Sequence, residues 1–286
     1  LKAKELLKNC IERLDRAGID CSRSVVRLLF KELLYLSDSE IILGTVEVPH
    51  RLCLSMNGAI ERLIEGEPLD YVVGRRNFLG VWLKLNNSVL IPRPETEELV
   101  QMVIDRERDS TVFADVATGS GAIACALASH LSHSRVFASD LSLAALEVAM
   151  ENAAKNGLSN IRFYHGDNLA ALEDFLEEIE VIVSNPPYIK TSMLKSLDRK
   201  VAGYEPLLAL DGGSDGLDFY REFFKHLPEG KRVYLEIAEY SVKGLSELVA
   251  PLKNYEYSFE KDFYGSYRFM FLHPEGRESR RRTPRE

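Results

Sequence analysis

The sequence predicts an α/β fold: a Rossmann-like, mostly parallel sheet with an antiparallel C-terminal hairpin, preceded by a small N-terminal helical bundle. Three observations predict it. Residues 1–72 repeat apolar side chains at helical spacing, strands and helices alternate from Thr111 onward, and the last two strands are joined by a short turn at Gly265.

In the first segment, Leu6, Leu7, Cys10, Ile11 and Leu14 recur in steps of three and four, the mark of one buried helix face. Val25, Val26, Leu28, Leu29, Leu33 and Leu34 supply a second helix. Ser39 is the expected cap of a short third, and Leu52 to Ile64 give another before Gly66 and Pro68. The texture changes at Asn77. Phe78 to Leu85 and Val89 to Ile91 read as two strands around the Asn86-Asn87 pair, a hairpin expected to link two domains.

The alternating part runs as a strand at Thr111–Val116, a helix at Ala122–Leu131, a strand at Arg135–Ser139 and a helix at Ser142–Asn156 that stops at Gly157. Ile161–His165, Val181–Ser184 and Arg232–Ile237 supply further strands, with helices expected over Leu217–His226 and Ser241–Leu252. Tyr255–Phe263 and Tyr267–His273 form the closing hairpin.

At 286 residues and 45% hydrophobic content, the chain can fill two cores. A net charge of −8 disfavours a large phosphate-clamping surface, so stable nucleic-acid binding is not expected. The four cysteines, Cys10, Cys21, Cys53 and Cys125, lack CxxC spacing and read as reduced core thiols, with no metal site expected. No stretch approaches the roughly 20 apolar residues of a membrane span. Acidic residues near the start speak against a transit peptide, and a reducing cytoplasm fits best.

Chemistry-bearing residues gather at strand ends. Asp115 to Gly121 closes the first strand of the alternating part and opens a helix, where glycines let backbone approach a ligand and free amides favour electron-rich groups. Gly119 to Ala124 also satisfies the loose GxGxxA form of the dinucleotide fingerprint. That points to a nucleotide-containing cofactor and leaves its identity open. About 20 residues further on, Asp140 ends the second strand, placed either to accept from both hydroxyls of a ribose or to cap the following helix. Gly166-Asp167-Asn168 ends the third, and Asp167 or Asn168 is positioned for an adenine unless the segment is a plain Asx turn.

Asn185-Pro186-Pro187-Tyr188 ends the fourth strand at the same rim. The Asn185 side-chain carbonyl and the Pro186 backbone carbonyl are two acceptors able to grip one NH2 group, and proline adds no competing donor. A planar amide or base amine is a poor nucleophile because its lone pair is delocalised. Two acceptors orient it toward an electrophile and stabilise the developing positive charge, while Tyr188 is placed to cover the plane. The four residues do not say whether the amine belongs to an amide or a base.

With "DVATGSG", Asp140 and "NPPY", the alternating part resembles class I S-adenosylmethionine-dependent methyltransferases, whose sheet also ends in an antiparallel hairpin. "GEPLDYVVGRRNFLG" (Gly66 to Gly80), "VLIPRPETEELV" (Val89 to Val100) and "YEPLLALDGGSDGLDFYR" (Tyr204 to Arg221) narrow the resemblance to the HemK (PrmC) protein-glutamine methyltransferases, over nearly the whole chain. It implies methylation of the side-chain amide nitrogen of the glutamine in the GGQ motif of class I peptide chain release factors. S-adenosylmethionine is the implied donor and S-adenosylhomocysteine the product.

Carried over residue by residue, the resemblance puts the cofactor on Ala117, Thr118, Gly119, Ser120, Gly121, Asp140, Asn168 and Asn185. The substrate falls on Asn185, Pro186, Pro187 and Tyr188, with Asn185, Pro186 and Tyr188 as catalytic residues. Periodicity and texture divide the chain into a helical domain (1–72), expected to dock the protein substrate because an isolated glutamine offers few contacts, a hairpin linker (73–92), a catalytic domain (93–276) and a basic tail (277–286) expected to be disordered. Two positions depart from the family pattern. Ala117 replaces the first glycine of the loop, which is tolerable at negative φ and questionable at positive φ, and Glu95 replaces an Asp after Pro-Arg-Pro. Arg93 reads either as a brace at the domain junction or as part of the site. Two other readings compete: an amino methyltransferase acting on nucleic acid, and a nicotinamide-dependent oxidoreductase or non-catalytic nucleotide-binding module built on the glycine loop.

Overall fold

The computed structural model describes residues 1–276, so the basic tail at 277–286 lies outside the described residues. The chain divides into two compact units. One comprises Leu1–Arg76, Leu85–Asn87 and Leu197–Glu205; the other comprises Asn77–Lys84, Ser88–Ser196 and Pro206 onward.

The first unit is helical: α1 (Ala3–Arg16), α2 (Ser22–Leu34), α3 (Asp38–Leu43), α4 (His50–Ile64) and α5 (Leu69–Val73). Its core takes Leu6, Cys10 and Leu14 from α1, Val26, Leu29 and Phe30 from α2, and Met56, Ile60 and Leu63 from α4. The spacing that predicted α1 is therefore the spacing of its buried face, whereas Leu28 of the set that predicted α2 is exposed. Each such side chain contributes roughly 1.5–3 kcal/mol on full burial. The cap of α3 is Ser37 rather than Ser39. Its hydroxyl accepts from the Glu40 amide at 3.3 Å while the Glu40 carboxylate accepts from the Ser37 amide at 2.8 Å, a reciprocal box that Ser39 lacks the following Glu to make. Two of the cysteines leave the expected core: Cys21 is exposed and Cys53 half-buried, whereas Cys10 and Cys125 are buried.

The hairpin also differs from expectation. Its strands are β1 (Arg75–Phe78) and β2 (Val81–Lys84), turning at Leu79 and Gly80 with φ of 46° and 84°. Two successive positive φ values make the tight primed turn that matches strand twist. Val89 to Ile91 is not a strand; Val89 and Leu90 line a cavity instead. A helix absent from the sequence reading follows, α6 (Pro94–Arg106), with proline at its first position and Glu95 and Glu97 in its first turn.

The second unit continues with β3 (Val112–Val116), α7 (Ala122–His130), β4 (Arg135–Asp140), α8 (Leu143–Lys155), β5 (Ile161–His165) and β6 (Val181–Ser184). The single-turn α9 (Arg199–Ala202) belongs to the first unit. Then come α10 (Asp218–His226), β7 (Arg232–Glu236), α11 (Val242–Val249), β8 (Tyr255–Lys261) and β9 (Tyr267–Pro274). The sheet order is β5-β4-β3-β6-β7-β9-β8. Five strands are parallel, and β9 runs antiparallel to both β7 and β8. Every residue of β3 and β6 is buried, as expected where helices cover both faces of a parallel sheet.

Strand order reverses between β3 and β6, which opens a crevice at their carboxyl ends. The loop after β3 and the Asn185-Pro186-Pro187-Tyr188 segment after β6 face each other there. No helix among the described residues is long and apolar enough to cross a membrane.

Candidate active site

The loop after β3 is tied to the neighbouring strand and closed on itself by backbone bonds. The Thr118 amide donates to the Ser139 carbonyl at 2.9 Å, and the Gly121 amide to the Thr118 carbonyl at 2.9 Å. Beneath it sits Asp115, fully buried. One of its oxygens accepts from the Thr118 hydroxyl at 2.5 Å and from the Ala124 amide at 3.0 Å. Burial pushes the Asp115 carboxyl up to about 7.

Ala117, Gly119 and Gly121 all have positive φ, of 60°, 56° and 79°. Ala117 thus takes the left-handed conformation that was the questionable case, at a cost of about 1–2 kcal/mol for a residue with a Cβ. The surrounding hydrogen bonds hold the backbone there, so the loop keeps an alternating left-handed course with alanine in its first position. Gly121 does a different job. A Cβ on it would meet the Ala149 Cβ at 3.0 Å, so it keeps α7 and α8 close together.

Asp140, at the end of β4, accepts from the Gly119 amide (Oδ2, 2.8 Å) and from the Ser142 amide (Oδ1, 2.8 Å). It does not cap α8; Ser142 does, accepting from the Ala145 amide at 3.2 Å. Each Asp140 oxygen keeps a further lone pair for a ligand hydroxyl. Burial raises its pKa, and the amides of Ser142 and Gly119 pull it back down.

Asn168 has φ of 51°, and its side chain is engaged, donating to the Phe219 carbonyl at 3.1 Å and accepting from the Leu169 amide at 2.9 Å. Asp167 beside it is exposed. Of the two residues considered for an adenine, Asp167 therefore has the freer side chain.

A cavity of about 170 Å³ joins these strand ends. Ala117, Thr118, Gly119, Ser120, Asp140, Asn168, Asn185 and Pro187 are brought together on its wall; Gly121, Pro186 and Tyr188 are not. Pro186 is buried, and Tyr188 is half-buried against the core of this unit. Thr96, Leu208 and Phe219, which sequence reasoning did not single out, complete the enclosure.

Among the described residues, no Lys, Arg or His lines the cavity, whereas Asp140 and Asp167 do. A phosphate would meet no counter-charge there, and the Gly119 amide is already engaged by Asp140. Apolar walls, an Asp140 carboxylate with lone pairs left for ligand hydroxyls and a second acidic side chain at Asp167 fit a nucleoside that carries a positive charge. The donor set therefore fits S-adenosylmethionine better than a dinucleotide.

Asn185 donates its side-chain NH2 to the Thr96 hydroxyl at 2.9 Å, and Thr96 donates in turn to Glu236 Oε2 at 2.7 Å. The other Glu236 oxygen accepts from the Tyr188 hydroxyl at 3.0 Å. Burial pushes the Glu236 carboxyl up to about 7, opposed by its bonds from Thr96 and Tyr188. Burial, and then the nearby Glu236 charge, drive the Tyr188 phenol well above its ordinary value, so it stays a donor.

Comparison with known proteins agrees with this architecture. The PrmC N-terminal domain family matches residues 5–74, and the methyltransferase small domain family matches residues 95–201. The release factor glutamine methyltransferase of Thermodesulfovibrio yellowstonii is 36% identical over 248 residues, 84% of this chain and 85% of its own length. That of Bacillus anthracis is 40% identical over 224 residues, 74% of this chain and 78% of its own. Among solved structures, the hMettl16 catalytic domain in complex with MAT2A 3'UTR hairpin 6 superposes with a TM-score of 0.57 at 13% identity. It covers 82% of this chain and 85% of its own, and shows the fold alone.

Proposed function

The chain belongs to the release factor glutamine methyltransferase family, and from that premise we propose that it transfers a methyl group from S-adenosylmethionine to the side-chain amide nitrogen of the glutamine in the GGQ motif of class I peptide chain release factors. One observation carries the reading: Asn185 stands on the wall of the same cavity as Asp140 and the Ala117–Ser120 loop, with its NH2 turned to Thr96 and its carbonyl left to accept.

When bound, S-adenosylmethionine supplies an electrophilic methyl group. Asp140 would accept from its ribose hydroxyls, the Ala117–Ser120 backbone would wall it, and Asp167 and Asn168 would hold its adenine side. The Asn185 carbonyl and the Pro186 backbone carbonyl each accept one hydrogen of the substrate amide. They fix its plane and favour the positive charge that grows on nitrogen as it bonds to carbon. Pro187 borders the amide, and Tyr188 covers its plane from a ring anchored at the hydroxyl end by Glu236. Once methylated, the nitrogen is strongly acidic while it holds its extra proton and releases it to water. No dedicated base is required.

The reading assigns docking of the release factor to the first unit. Support comes from its exposed apolar side chains, Tyr35 at the end of α2 and Ile42 and Leu43 on α3. Replacing these three with serine should raise KM for the release factor by about tenfold or more while leaving cofactor affinity alone; an unchanged KM removes the docking role. A cytoplasmic setting belongs to the same reading and is supported by four free thiols.

The deciding experiment is transfer of a tritiated methyl group to a class I release factor. Label is expected on the intact factor and not on a version whose GGQ glutamine is alanine. Equal labelling of both overturns the assignment.

A further inference from the structure

At the carboxyl edge of the sheet, Ser184 of β6 pairs in register with Leu235 of β7, so the next residues, Asn185 and Glu236, end neighbouring strands. Thr96 reaches the same point from the third position of α6. Thr96 is 3% exposed and Glu236 1% exposed, and both carboxylate oxygens of Glu236 are engaged by hydroxyl donors.

The direction of these hydrogen bonds follows from what each group can do. An ionised carboxylate only accepts, so Thr96 must spend its single hydrogen on Glu236. Its oxygen is then left as an acceptor, and only the NH2 end of the Asn185 amide satisfies it. A turned-over Asn185 would point a carbonyl at an oxygen with no hydrogen to give, at a cost of roughly 1–3 kcal/mol for the unsatisfied buried acceptors.

We propose that Thr96 and Glu236 are positioning residues for the methyl transfer: Glu236 fixes the Thr96 hydroxyl, and Thr96 locks Asn185 in the one amide orientation that presents its carbonyl to the substrate NH2. The same carboxylate anchors Tyr188, so one buried group sets both ends of the Asn185–Tyr188 segment. This rests on the function proposed above and adds to it the reason that Asn185 faces the right way.

The test is a double-mutant cycle on full-length protein, with kcat and KM for a release factor and calorimetric affinity for S-adenosylhomocysteine as readouts. Thr96→Val keeps the shape and removes the hydroxyl. It should lower kcat about 10- to 100-fold, the range for losing a hydrogen bond in a charge-assisted chain, with KM and cofactor affinity within about twofold. Thr96→Ser should restore kcat to within about threefold of the parent. In an Asn185→Ala background Thr96→Val should cost nothing more, because its whole effect passes through Asn185.

Wild-type kcat in Thr96→Val, or full additivity with Asn185→Ala, overturns the positioning role. So does a Thr96→Val loss that Thr96→Ser fails to repair in a protein that still binds cofactor. If Asn185→Ala itself keeps full turnover, the function proposed above fails first. If Thr96→Val does not fold, Thr96→Ala replaces it in the same cycle, with the same outcomes deciding.

Discussion

The two loops that face each other across the crevice are built on opposite principles. The loop after β3 is held through its own backbone amides by near neighbours: Thr118 donates to the Ser139 carbonyl on the adjacent strand, Gly121 to the Thr118 carbonyl within the loop, and Gly119 to the Asp140 side chain at the end of that strand. The segment after β6 is held by side chains from far away, with Thr96 lying 89 residues before Asn185 and Glu236 lying 48 residues beyond Tyr188. A loop fixed by main chain tolerates an unexpected residue type, as Ala117 at φ 60° shows. A loop fixed by directional side-chain bonds does not, because each partner has one chemically acceptable orientation.

That contrast is open to attack from both sides. The largest effect is expected on the side-chain-held loop. Asn185→Ala should lower turnover about 100- to 1,000-fold, by analogy with losing one preorganised polar partner, while cofactor affinity stays near normal. Near-normal turnover would remove Asn185 from its role. On the other side, Asp140→Asn puts an NH2 group where an amide donor now points, and should weaken cofactor binding about 10- to 100-fold in a calorimetric titration. If turnover at saturating cofactor falls as far as affinity does, the two loops are not separable.

The pH dependence sharpens the comparison further. Glu236 faces Thr96, Tyr188, Arg268 and Glu95, with Tyr220 nearby, and its carboxyl is raised from 4.5 to about 7. Above that pH it is ionised and Thr96 donates to it. As pH falls through about 7 it takes up a proton, and Thr96 no longer faces a group that can only accept, so the hold on the Asn185 orientation weakens. Turnover should drop on the acid side, by at most about tenfold per pH unit, whereas cofactor affinity should not follow the same curve.

Stability should move the opposite way. The folded state binds this proton more tightly than the unfolded one, so lowering pH from about 7 toward 4.5 stabilises the wild type relative to Glu236→Gln. Parallel melting curves of the two proteins at pH 8 and pH 6 would show it, and an unchanged difference would contradict the buried, raised carboxyl. The smallest effect belongs to the backbone-held loop. Ala117→Gly relieves a left-handed alanine but frees the unfolded chain, so a gain of at most about 1 kcal/mol, or roughly 2–4 °C in Tm, is expected.

Much of this was legible in the chain. Strands Ile161–His165 and Val181–Ser184 fall where alternation and β-branched runs place them, and Asp140 was found by a positional rule: a carboxylate at the end of a parallel strand lies on the ligand rim. The same rule applied to Arg232–Ile237 points to Glu236, which sequence reasoning passed over. Thr96 gave a weaker sign, a hydroxyl two residues after the proline that opens α6. The hairpin was misplaced because Asn86-Asn87 carries the usual letters of a turn, whereas Leu79, with φ of 46°, does not.

By itself the sequence determined the two kinds of architecture, the strand ends that gather at one rim of the sheet, and the place of the Asn185-Pro186-Pro187-Tyr188 segment on that rim. Those depend on neighbours within a few residues, where periodicity and proline geometry act directly. Only the tertiary structure decided which way the Asn185 amide faces. That is set by β6–β7 register and by where α6 delivers a hydroxyl, and a hydrogen bond between residues 89 apart leaves no periodic trace in the chain.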